Sequence, residues 1–156
     1  MRKLAITLQT GVRFMSGRVE QGKQVGRTLG FPTANLNISS EFLPIPGVYG
    51  VYVYRGGRQY LGIMNIGYRP TFKDGDHQTI EVHLLDFDES IYGELLAIEV
   101  LFPIRKERKF SNLVDLISQL QKDEEYARTA FIGINALSGE VGVSTPSSSK
   151  AKQCCY

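Results

Sequence analysis

The chain has 156 residues, 42% hydrophobic and 22% charged, with Tyr and Phe as its aromatics and no Trp. That length suits one domain that buries a core without disulfide or metal staples, and leaves no room for a second enzyme domain. A formal net charge of +2, with basic residues grouped only at Arg105, Lys106, Arg108 and Lys109, argues against a nucleic-acid protein, which would carry a broad basic face. At the N-terminus, Arg2 and Lys3 precede Leu4, Ala5, Ile6 and Leu8, an apolar run too short for a signal sequence or a membrane span. A cytoplasmic protein is expected, with residues 1–11 as an extension and 12–136 as the folded domain. Residues 12–22 are strand-like and lead into a glycine-rich segment. Two β-rich runs, 48–54 and 60–66, flank Arg55-Gly56-Gly57-Arg58, whose paired glycines predict a tight hairpin. In 79–87, Ile80, Val82 and Leu84 alternate with Thr79, Glu81, His83 and Leu85, the pattern of a half-buried strand. A further strand covers 95–102. One helix is predicted from an N-cap at Ser111 to about residue 129, with a core-facing stripe of Leu113, Leu116, Ile117, Leu120 and Ala127. Short, regularly spaced strands followed by one helix imply a closed or nearly closed antiparallel barrel with the helix outside. From 137 to 156 the chain is too poor in large apolar residues to offset ordering entropy, and a disordered tail is expected. Its adjacent Cys154 and Cys155 suit neither a disulfide framework nor metal ligation.

Glycines at 22, 26 and 30 would let backbone N–H groups approach a polyphosphate, but a flexible surface loop fits them equally well. The segment lacks the Gly-Lys-Ser/Thr ending of a P-loop, and no helical pattern follows it. Pro32 then stiffens the chain where Thr33 and Asn35 share one face of an extended backbone. A hydroxyl and an amide carbonyl suit a Mg²⁺ that takes its other oxygens from water and phosphates, although such residues more often cap a turn. Glu81 lies opposite the apolar face of its strand, as either a plain surface glutamate or a functional carboxylate. Residues 105–109 alone read as a solvated charged turn; beside Phe110, a guanidinium and a ring could flank a planar ligand. His77 and His83 have no third ligand at metal spacing, and His83 is expected to support Glu81.

The segment GKQVGRTLGFPTAN over 22–35, then NIG-x-x-PTF over 65–72, Glu81-x-His83, Tyr92-Gly93-Glu94 and IR-x-E-x-x-F over 104–110, resembles the riboflavin kinase family across about residues 15–130. The resemblance implies a six-stranded Greek-key barrel with a C-terminal helix, phosphorylation of riboflavin by ATP to FMN, and a divalent cation held by Thr33 and Asn35. It further implies that Gly22 and Arg27 lie on the ATP phosphates and that Tyr92 borders the nucleotide. Glu81 would be the catalytic base, and Arg105, Arg108 and Phe110 would contact the flavin. The position of Arg108 is a lysine in some relatives, which would make its contact charge-based. In many bacteria the module is half of a bifunctional enzyme that also makes FAD; no His-x-x-His motif occurs here, so the product is expected to be FMN.

Two other readings stand beside this one. A non-catalytic FMN or nucleotide sensor would keep the loop and lose the base, whereas Glu81, Thr33 and Asn35 are all present. An oligonucleotide-binding barrel would want basic residues among exposed aromatics, and Tyr49, Tyr52, Tyr54 and Tyr60 lack that charge. Small-molecule substrates, a monomer, and no nucleic-acid, membrane or obligate protein partner are expected. The loop 70–78 and the glycine segment are candidate lids.

Overall fold

The computed structural model describes residues 14–22, 25–38, 43–71 and 75–138. The expected extension at 1–11, the cysteine pair and the tail beyond 138 lie outside the described residues. Six strands form a closed antiparallel barrel: β1 (Phe14–Glu20), β2 (Ala34–Asn37), β3 (Gly47–Arg55), β4 (Arg58–Thr71), β5 (Gly75–Leu84) and β6 (Leu95–Lys106). A short helix α1 (Val25–Thr28) precedes β2, and a long helix α2 (Leu113–Ser138) follows β6. Around the barrel the order is β1-β2-β5-β4-β3-β6. Strands β3, β4 and β5 follow one another as hairpins and β6 returns beside β3, which is the Greek-key connection.

Alternation builds the core. Val51, Val53, Met64, Ile66, Val82, Leu96, Ile98 and Val100 point inward and are fully buried, with Val19, Leu36 and Ile80 closing the ends. The predicted hairpin forms, with Arg55 paired to Arg58 and both intervening glycines at positive φ. That left-handed backbone suits a two-residue turn and costs glycine no steric penalty. Strand β4 runs past the predicted end at 66 and pairs with β5 out to Thr71↔Gly75. Most of the expected loop 70–78 is therefore hairpin arm. Residues 67–71 (Gly-Tyr-Arg-Pro-Thr) and 75–79 (Gly-Asp-His-Gln-Thr) of the arm lack the apolar alternation that marks a strand.

Helix α2 begins and ends later than predicted. Its N-cap is Asn112 rather than Ser111: the Asn112 side-chain oxygen accepts from the Asp115 N–H at 2.9 Å, satisfying an orphan donor of the first turn. The helix passes through Gly133 to include Leu137 and Ser138, which the composition had assigned to the tail. Tertiary packing overrides the glycine. Phe131, 1% exposed, meets Phe102 edge-on at 5.2 Å and stacks on Tyr52 at 6.1 Å, with Ala127 and Leu85 beside them. The core-facing stripe thus lies in the second half of α2. Leu113 is 58% exposed, and Leu116 and Leu120 line a cleft instead of entering the core. Arg128 ties the helix to the end of β5 through both oxygens of Asp86, each at 2.9 Å.

Candidate active site

Strand register aligns the polar residues. Asn35 of β2 lies opposite Glu81 of β5, Glu81 opposite Asn65 of β4, Asn65 opposite Val48 of β3, and Val48 opposite Arg105 of β6. Residues directly opposite in a ladder share a face. The neighbours Ala34, Ile80, Val82, Met64 and Ile66 occupy the barrel interior, so this row points outward. The row faces a cleft of about 260 Å³ that the first half of α2 roofs with Leu116 and Leu120. Phe31, Thr33, Asn65, Glu81, His83, Arg105, Arg108 and Phe110 line the rest.

The segment before β2 is shaped by close contacts. Contrary to the expectation from its pattern, it contains one helical turn, α1, whose Gly26 carbonyl accepts from Phe31 N–H at 2.8 Å. A Cβ on Gly22 would sit 1.8 Å from the Asn35 amide nitrogen, so any larger residue there would displace Asn35. His83 Nδ1 lies 2.7 Å from the Pro32 carbonyl. A carbonyl only accepts, so Nδ1 carries the proton and the ring holds Pro32 against β5. His83 thus fastens Phe31–Asn35, which strand pairing sets beside Glu81, to the strand that carries the glutamate. Ala34 is buried between Thr33 and Asn35, leaving both outside the barrel as an extended chain requires. Thr33 lines the cleft. Asn35 lines a second, more polar hollow of about 530 Å³, together with Gly22, Asn37, Gln78 and Thr79. The Asn35–Glu81 pair is the seam between the two.

On the opposite wall, Arg105 and Arg108 place their guanidinium carbons 5.6 and 4.8 Å from the Phe110 ring centroid. Arg105 Nε donates to Oδ1 and Oδ2 of Asp123 at 3.0 and 2.9 Å. Arg108 reaches the Gln119 side-chain oxygen at 3.3 Å. Glu107 also lines the cleft, and its Oε1 accepts from Tyr68 N–H at 3.3 Å, which ties this wall to the β4–β5 arm.

Of the predicted site residues, Glu81, Thr33, Arg105, Arg108 and Phe110 meet in the cleft, and Gly22 and Asn35 meet in the adjoining hollow. Arg27 is half-buried in α1 beside Gly26 and lines neither space. Tyr92 is 40% exposed in the β5–β6 connection, next to Gly93, whose N–H donates to Val19 O at 2.9 Å; it too lines neither space. The residue-by-residue reading gave no site role to Asn65, Glu107 or Asp123, and assigned Leu116 and Leu120 to the core instead of the cleft. Asp123 had a visible signal, an acidic residue between Leu120 and Ala127 on the apolar face of a helix.

Similarity to known proteins points the same way as the geometry. The Flavokinase family model, described as riboflavin kinase, matches residues 11–131. A bifunctional riboflavin kinase/FMN adenylyltransferase of Haemophilus influenzae is 45% identical over 116 residues, covering 74% of this chain and 37% of that protein. An RNA-binding riboflavin kinase of Bacillus subtilis is 44% identical over 124 residues, covering 78% of this chain and 54% of that protein. The chain thus spans between about a third and a half of the length of these curated relatives. Among solved structures, riboflavin kinase from Trypanosoma brucei superposes with a TM-score of 0.53 at 25% identity, covering 77% of this chain and 81% of that one. A Streptococcus pneumoniae structure described as a macrolide-efflux protein reaches 0.70 at 38% identity, covering 76% of this chain and 39% of that one. The family match extends over most of the sequence and includes every strand of the barrel, and the chain belongs to the riboflavin kinase family.

Proposed function

We propose that this chain transfers the γ-phosphoryl group of ATP to the 5′-hydroxyl of riboflavin, giving FMN and ADP. The observation that carries this reading is the outward row in which Glu81, Asn65 and Arg105 line a cleft walled by Phe31 and Phe110 and roofed by two leucines, while Asn35, opposite Glu81, lines the polar hollow next to it. A flat, largely apolar ring system fits such walls, with its polar edge toward Arg105 and its alcohol tail toward Glu81. The polar hollow across the Asn35–Glu81 seam suits the nucleotide. Glu20 at its rim is engaged by the Asn37 amide at 2.8 Å, and a carboxylate repels phosphate, so the phosphates belong at the Gly22–Asn35 end.

Thr33 and Asn35 offer neutral oxygens on one side of the chain, a donor set that fits Mg²⁺ sharing its shell with water and phosphate. Bound there, the cation would neutralise charge on the transferring group. Glu81 accepts the proton of the 5′-hydroxyl as its oxygen bonds to the γ-phosphorus and the bridge to ADP breaks. His83 keeps the Thr33–Asn35 segment in place against the strand bearing Glu81. Arg27 and Tyr92 would reach the nucleotide only from the rim, Arg27 from the phosphate side.

Incubation with riboflavin, ATP and Mg²⁺, followed by separation of the flavins, tests the activity; FMN is expected. Glu81→Gln should lower kcat by about 10²–10⁴-fold while changing ATP affinity little, since general-base catalysis contributes on that order. A Glu81→Gln enzyme with unaltered turnover removes the glutamate from the chemistry, and a wild-type chain that binds FMN without making it is a sensor.

We also read the chain as a cytoplasmic monomer acting on small molecules alone. The charge balance supports the absence of a nucleic-acid role, and among the described residues no helix is long and apolar enough to cross a membrane. Because one relative is described as RNA-binding, titration with structured RNA at physiological salt is the direct check.

A further inference from the structure

Asp123 is 3% exposed, and an ionised carboxylate that deep is costly unless it is paired. Its partners both come from the flavin wall's surroundings. Arg105 Nε donates to its two oxygens, and Gln119 Nε2, one helical turn earlier, donates to Oδ1 at 2.8 Å. Gln119 in turn accepts from Arg108 through its side-chain oxygen. The amide is therefore oriented by a donor on one side and an acceptor on the other, and one connected network reaches both guanidinium groups that flank Phe110.

The same bonds decide which atoms of Arg105 remain for a ligand. Nε is taken by Asp123 and Nη1 donates to the Lys106 carbonyl at 3.1 Å, while Nη2 has no acceptor among the described residues. A buried ion pair is a poor source of stability, since apolar replacements of similar volume are often as stable. A rigid, pre-oriented donor beside an aromatic ring is what a planar ligand with a carbonyl edge needs.

We propose that Asp123 and Gln119 of α2 are positioning residues that hold Arg105 and Arg108 about Phe110 as a preformed wall for the flavin ring. This rests on the kinase reading of the cleft. Neither residue touches the reacting atoms, so the effect belongs in flavin affinity and not in the nucleotide.

The test is riboflavin affinity, followed by quenching of flavin fluorescence, for the wild-type chain, Asp123→Asn, Arg105→Ala and the double variant, with the KM for ATP and the melting temperature alongside. Asp123→Asn should weaken riboflavin about tenfold or more, as loss of a supporting partner does, with the KM for ATP within about twofold. The double variant should lose less than the sum of the two single losses, because Asp123 acts mainly through that arginine. Additive losses, or an unchanged riboflavin affinity in Asp123→Asn, overturn the inference while leaving the kinase reading intact. A wild-type chain that binds no riboflavin overturns both. Should Asp123→Asn not fold, Gln119→Ala, which leaves the Asp123–Arg105 pair in place, decides through Arg108: about threefold weaker riboflavin supports the network, and no change overturns it.

Discussion

Asp86 illustrates how one residue can serve a backbone and a charge at once. It adopts a φ of 54°, a left-handed conformation that Asp and Asn tolerate better than other side chains, just where β5 ends. The bidentate Arg128 holds its carboxyl below the ordinary aspartate value of 3.8, with the guanidinium hydrogen bonds as the main cause. A depressed folded-state value means that the unfolded chain takes up the proton first on acidification. Stability from this pair is therefore fully present above the ordinary value and is lost as pH falls through the depressed one. Asp86→Asn keeps the backbone preference and removes the charge. Because both side chains are well exposed, it should cost less than about 1 kcal/mol at neutral pH. The difference from wild type should shrink in denaturant titrations as pH falls through the depressed value. A difference that persists in acid would assign the effect to hydrogen bonding alone.

At the scale of elements, α2 divides into two working halves. Its second half docks through Ala127 and Phe131 onto Phe102, Tyr52 and Leu85, and its first half supplies Leu116, Leu120 and Asp123 to the cleft. Phe131→Ala should cost about 3–5 kcal/mol in urea unfolding, as emptying a buried aromatic site does. Leu113→Ala, on an exposed side chain, should stay within about 0.5 kcal/mol. Asn112→Ala should cost about 1 kcal/mol through the lost cap, and Ser111→Ala should cost less. The reverse order for the last two would return the cap to Ser111. The division was hidden in the sequence because both halves show leucine, isoleucine and alanine at helical spacing. Periodicity says that a face is covered, and a ligand cleft covers it as a core does.

The whole molecule is a closed barrel in which each strand buries its inner face against all the others, so it should unfold as one unit. Circular dichroism and tyrosine fluorescence are expected to give coincident thermal transitions. Saturating riboflavin should raise the midpoint, by about 2.7 kcal/mol of added stability at a hundredfold excess over Kd; separate transitions would break the single-unit picture. Much of this architecture was legible in the chain. Alternation marked five of the six strands, Gly56-Gly57 marked the hairpin, and the motif order from residue 22 to 110 pointed to the family and singled out Thr33, Glu81, Arg105, Arg108 and Phe110, which line one cleft. Strand β2 was not marked, being four residues whose alternation is too short to stand out. The β4–β5 arm beyond Ile66 lacked the apolar alternation that marks a strand. What the sequence by itself determined is what local preference and period set: the hairpin turn, the inward faces of the strands, the presence of the long helix and the candidate site residues. What only the tertiary structure decided is which residues meet. Asn35, Glu81, Asn65 and Arg105 share a row because barrel closure brings β2 beside β5 and β6 beside β3, and Asp123 becomes a partner of Arg105 because packing of Phe131 lays α2 across that row. Register and docking depend on contacts between residues far apart in the chain, and no local pattern encodes them.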